Sequence, residues 1–128
     1  MGQTATLAAA QELIRTSGAD VGILYDVWHF VRAGQTIEDL CAIPSDLIRY
    51  VQVNDGLAAI PTDGFIAEAI GERLYPGLGE FPLADLLRHA PRGVTWAIEA
   101  PSLMRARAGA TAEDQACEAM AALRSVLA

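Results

Sequence analysis

Val21-Gly22-Ile23-Leu24-Tyr25-Asp26 is the stretch on which the fold turns. It is apolar or small up to Tyr25 and then stops at a carboxylate. An uninterrupted apolar run of this length, without polar alternation, is the pattern of a strand buried on both faces in a parallel sheet. Two further strands end on polar residues in the same way. Ile48-Arg-Tyr-Val-Gln-Val53, alternating at its end, is closed by Asn54-Asp55, and Val94-Thr-Trp-Ala-Ile98 is closed by Glu99.

Helical spacing fills the intervals between these runs. Residues 4–17 place apolar side chains on one face and end at Gly18, a residue suited to the left-handed turn that closes a helix. Thr36-Ile-Glu-Asp39 has the form of a capping box with Asp in its third position, and it starts a short helix that stops near Pro44. Pro61 and Gly64 break a long loop, with a helical stretch over 64–73. Pro76-Gly-Leu-Gly79 is a turn, Pro82 opens a helix that runs to His89, and Thr111 with Glu113 opens a last helix over 111–127. The order α-β-α-β-α-β-α predicts a single α/β domain over 1–128, with strands at about 21–26, 48–54 and 94–99. Strands alternating with helices imply right-handed crossovers and a parallel sheet.

Composition narrows the function. The chain has 128 residues, 52% of them hydrophobic, enough for one modest core and too apolar for a disordered tail. With a net charge of −7 and its basic residues scattered, it offers no footprint for nucleic acid and none for an anionic membrane. All nine basic side chains are arginine, so Schiff-base lysine chemistry is absent. Cys41 and Cys117 fit no metal or redox spacing and are expected to be buried thiols. Met1-Gly-Gln-Thr-Ala-Thr-Leu7 lacks the basic and apolar regions of a signal peptide, and the apolar runs are too short to cross a bilayer, so a cytoplasmic protein is expected.

The polar strand ends point to chemistry. In a parallel α/β sheet all carboxyl ends face one edge, where sites are built. Asp26, then Gln52 with Asn54 and Asp55, then Glu99 are delivered to that edge. Crowded carboxylates repel unless a cation neutralises them or one keeps its proton, and oxygen ligands of this kind suit magnesium or manganese. The plainer reading is that acids after strands cap the next helix or anchor a loop.

Four blocks carry a resemblance. Asp26-Val-Trp-His29 is similar to the D-x-x-H strand end of the xylose-isomerase-like sugar phosphate isomerase/epimerase superfamily of TIM barrels. Tyr50-Val-Gln-Val-Asn-Asp55 resembles that family's next strand, Arg73-Leu-Tyr-Pro-Gly-Leu-Gly79 its R-x-x-P-G-x-G loop, and Trp96-Ala-Ile-Glu99 its last strand. The blocks keep the family's order over nearly the whole chain. The resemblance implies a partial (β/α)8 barrel made of the last three strands, with one divalent cation, manganese or magnesium, held by Asp26, Gln52 and Glu99. Gln52 stands where the family usually has histidine, and an amide oxygen holds a hard cation more weakly. The resemblance also implies that Glu99 is a catalytic acid/base and that His29 is catalytic and contacts a substrate oxygen. Arg73 is implied to reach substrate hydroxyls or phosphate. Trp28 and Trp96 are candidates to line a sugar pocket, with a place in the core as the alternative.

The expected reaction is isomerisation or epimerisation of a small sugar or sugar phosphate through an enediolate. The alternatives are a dehydratase or lyase of the same superfamily, or a truncated barrel without catalysis. The family's first glutamate is expected upstream of residue 4, and self-association into a homo-oligomer is expected to cover the open sheet. His89 is expected to be a solvated residue at a helix end, Arg32 to pair with a surface acid, and Arg105 and Arg107 to lie in an exposed loop.

Overall fold

The computed structural model describes residues 6–59 and 64–128. The expected helix start at residues 4–5, the leader region before it and the loop break at Pro61 lie outside the described residues. The first helix, α1 (Leu7–Ser17), is capped by Thr6, whose side chain accepts the Ala9 N–H, and ends on Gly18 at φ 65°. Three strands follow in alternation with helices: β1 (Ile23–Asp26), β2 (Ile48–Val53) and β3 (Thr95–Ile98). They form one parallel sheet in the order β1-β2-β3. This is the expected α/β architecture, a sector of a barrel.

Register explains how side chains divide between the two faces. Tyr25, Val51 and Trp96 are paired across the sheet, as are Asp26, Gln52 and Ala97 one residue later. Successive strand residues point to opposite faces. The Tyr25–Val51 row lies beneath the helices, where both residues are fully buried. The core continues through Ile23, Phe30, Ile48, Val53, Leu83, Leu86 and Leu87, with Leu123 from the last helix. On the opposite face no helix covers the sheet among the described residues, and Leu24 is 51% exposed. Both outer strands pair on one side only.

The helices beyond β1 are α2 (Val27–Arg32), α3 (Ile37–Cys41), α4 (Phe65–Gly71), α5 (Leu83–His89), α6 (Leu103–Arg107) and α7 (Ala112–Leu127). The box at Thr36 and Asp39 is formed in both directions, so the shorter acid serves. Helix α7 opens at Thr111 with Glu113 in its first turn, as expected, and Asp114 completes a capping box with Thr111. Two helices were not expected. Helix α2 begins directly at the strand end because the Asp26 carboxylate accepts the His29 N–H at 3.0 Å, capping a helix too short to show periodicity. Helix α6 starts in the same way from Ser102, so Arg105 and Arg107 are helical.

Other expectations are corrected. Cys41 and Cys117 are exposed, because each falls on the outer side of its helix. Strands β1 and β3 begin later than expected, at Ile23 and Thr95. Arg32 does pair with an acid, but inside the molecule. Its Nε and Nη2 donate to Glu68 at 3.0 and 2.5 Å, with both side chains buried. His89 is exposed at the end of α5 as expected, with Nδ1 2.9 Å from the Asp85 carbonyl.

Candidate active site

The site assembles at the carboxyl ends of the strands. Asp26 ends β1 and is 6% exposed; its Oδ1 accepts the His29 N–H and the Asn54 side-chain amide, at 3.0 and 3.2 Å. Asn54, the residue after β2, donates the same amide to the Glu99 carbonyl at 3.2 Å, tying the ends of β1 and β3 together. Glu99 follows β3, held in line by its N–H on the Val53 carbonyl at 3.1 Å.

Arg73 completes the group. Its Nη1 donates to Asp26 Oδ2 at 3.0 Å and to Glu99 Oε2 at 2.9 Å. The guanidinium rests over the Trp28 ring, 4.9 Å from its centroid, and Nη2 lies 3.5 Å from His29 Nε2. Asp26 and Glu99 thus meet on a single nitrogen, which is the convergence expected of them. Trp28, expected to line a sugar pocket, is fully buried as the platform beneath Arg73 and Arg32. Trp96 is half-buried and donates its indole N–H to the Pro91 carbonyl at 2.8 Å.

These residues border a cavity of about 350 Å³ whose lining includes Asp26, His29, Gln52, Arg73 and Glu99. His29 is exposed at its mouth. The Glu99 carboxyl is pushed above the usual carboxylate range by burial first and then by the neighbouring Asp26, while Arg73 pulls the other way. With 45% of the side chain open, solvent tempers that effect. Burial, and secondarily the Asp26 charge, raises the Tyr25 phenol well above its ordinary value.

Sequence reasoning missed two residues here. Asn54 was noted as a polar strand end without a role. Asp55, beside it, is 1% exposed and accepts four backbone N–H groups, from Gly56, Gly77, Gly79 and Phe81, at 2.8–3.1 Å. It organises the loop that carries Arg73. The signal was present in the glycines: a Cβ at Gly79 would run into the Asp55 carboxylate, so the acid and the glycine-rich loop require each other.

The donor set decides whether a divalent cation fits. Asp26 Oδ1 is occupied by two N–H donors and Oδ2 by Arg73, which also holds Glu99. A dication among Asp26, Gln52 and Glu99 would have to share both carboxylates with a guanidinium, against like-charge repulsion. Among the described residues no three His, Cys, Asp or Glu side chains gather into a cation cage. The residues as arranged do not fit a divalent cation.

Comparison with known proteins places the fold. The structure matches the IolI protein, solved with a bound zinc atom, at a TM-score of 0.75 and 25% identity over 94% of this chain and 43% of that one. It also matches a xylose isomerase domain protein from Alicyclobacillus acidocaldarius subsp. acidocaldarius, at a TM-score of 0.71 and 30% identity over 94% of this chain and 42% of that one. No protein-family model and no curated protein sequence matches the chain. The chain spans less than half the length of each of these two structures.

Proposed function

We propose, for a chain that shares its fold and its strand-end motifs with the xylose-isomerase-like superfamily, that the Asp26–Arg73–Glu99 cluster is one wall of an isomerase or epimerase site for a small sugar or sugar phosphate. The observation that carries this reading is the meeting of two carboxylates from opposite edges of the sheet on one arginine, inside a cavity also lined by His29 and Gln52. Proton transfer next to a carbonyl needs a base at the carbon and an electrophile at the oxygen. Glu99 is the half-exposed carboxylate of the pair, and its raised proton affinity suits a group that takes a proton and returns it. The Arg73 guanidinium, beside Glu99, is the donor that polarises the substrate oxygen and steadies the enediolate. His29 is exposed and lines the same cavity, which places it to meet a substrate hydroxyl.

The manganese or magnesium expected from the resemblance enters this reading only where Arg73 releases the carboxylates, and no step here is routed through it. IolI was solved with zinc, which is a fact about that protein. No described helix is long and apolar enough to cross a membrane.

Solvent-deuterium exchange into a panel of ketoses and their phosphates, followed by proton NMR, tests the proposal. Wild type is expected to exchange the hydrogen next to the carbonyl of at least one member. Glu99→Gln should lower that rate by about 10²–10⁴-fold with its unfolding midpoint nearly unchanged. Absence of exchange throughout the panel would end the isomerase reading.

A further inference from the structure

We infer that Arg73 is the resident cation of this site: its guanidinium holds the position between Asp26 and Glu99 that a divalent ion would need, and its presence sets the protein's indifference to such ions. Three observations carry this. One nitrogen of Arg73 reaches both carboxylates, at 3.0 and 2.9 Å, so the positive charge sits on the line between them. The side chain is 6% exposed and lies on the buried Trp28 ring, so it is built in rather than swinging from the surface. The loop that delivers it is pinned immediately after Arg73. Leu74 exchanges two backbone hydrogen bonds with Asp55, and the Asp55 carboxylate collects the N–H groups of the turn that follows. The backbone that carries Arg73 is thereby fixed beside the two carboxylates.

The remaining groups around Arg73 are those a hard cation takes. Asp26 and Glu99 supply charge, Gln52 shares the cavity, and the Asn54 side-chain oxygen is buried with no hydrogen-bond partner among the described residues. An ion can enter only by displacing Arg73, and taking away the guanidinium should turn an arginine-neutralised pair into a cation site. The inference uses the proposed function only for the location of the site. It concerns binding, so a protein inactive in exchange would leave it standing.

Manganese binding by the whole chain is the test, read by electron paramagnetic resonance of free Mn²⁺ and by thermal unfolding with and without the metal. Wild type should leave the free-ion signal and the unfolding temperature unchanged. Arg73→Met should bind Mn²⁺ at least about tenfold more tightly and unfold at a higher temperature in its presence. Arg73→Lys, which restores a cation on a flexible stem, should return binding to the wild-type level, an outcome that a merely structural role for Arg73 would not produce. Asp26→Asn added to Arg73→Met should remove the gain. Arg73→Gln is measured alongside, since its amide keeps a hydrogen-bond donor and gives a second reading if Arg73→Met misfolds. Manganese binding by wild type as tight as by the variants, or by neither Arg73→Met nor Arg73→Gln, overturns the inference.

Discussion

One oxygen of Asp26 accepts the backbone of α2 and the other faces Arg73, so a single side chain serves both the plain reading of an acid after a strand and the chemical one. The two uses do not compete, because a cap needs one lone pair and leaves the second oxygen free. Glu99 has no helix to cap and remains available for chemistry. Its raised proton affinity has a consequence for stability. A carboxyl that holds its proton more tightly when folded than when unfolded stabilises the fold at low pH, and that contribution is lost as pH rises through the folded value. Glu99 should therefore make the unfolding temperature fall slightly over the interval just above the ordinary glutamate value, then level off. Glu99→Gln should remove that step. Thermal melts of both proteins across that interval check it, and parallel curves would show that Glu99 is not the titrating group.

At the level of elements, the strands were legible because each is a largely apolar run closed by a polar residue, and helices α1, α3 and α7 because Gly18, Thr36 and Thr111 mark their ends. Helices α2 and α6 were not, since five or six residues span too few turns to display a period and neither carries the capping box that marks the equally short α3. The site was legible as far as Asp26, Arg73 and Glu99. That Arg73 would lie between the carboxylates could not be read, because a salt bridge between distant segments leaves no local pattern. Nor could the hub at Asp55, whose partners are backbone groups of a loop that only the fold brings near. Asp55→Ala would take the acceptor from four backbone N–H groups, those of Gly56 and Phe81 buried, and should destabilise the protein by about 3–5 kcal/mol. Urea unfolding monitored at Trp28 and Trp96 measures this, and a loss below about 1 kcal/mol would mean that water replaces the carboxylate.

At the scale of the fold, the decisive feature is a parallel sheet that, among the described residues, carries helices on one face and none on the other. Leu24 is half-exposed in the middle of β1, and among the described residues both outer strands pair on one side only. Parallel sheets are stable when both faces are covered, and open edges invite pairing. We propose that a second copy of the chain covers this face. Sedimentation velocity should then show an assembly for wild type and a single chain for Leu24→Glu, whose charge would be buried at the contact. A wild type that sediments as one chain at the same concentration would refute the pairing.

The Asp55 hub also bears on how the molecule comes apart. Its side chain gathers the turn from Gly77 to Phe81, and its main chain holds Leu74, next to the arginine. If that knot slips, the guanidinium withdraws and Asp26 and Glu99 face each other with nothing between them. Mutual repulsion then pushes the two outer strands apart at their tips, so a disturbance that begins in a loop is handed directly to the sheet. The contact that neutralises the two acids and the contact that orders the loop are fastened at the same point.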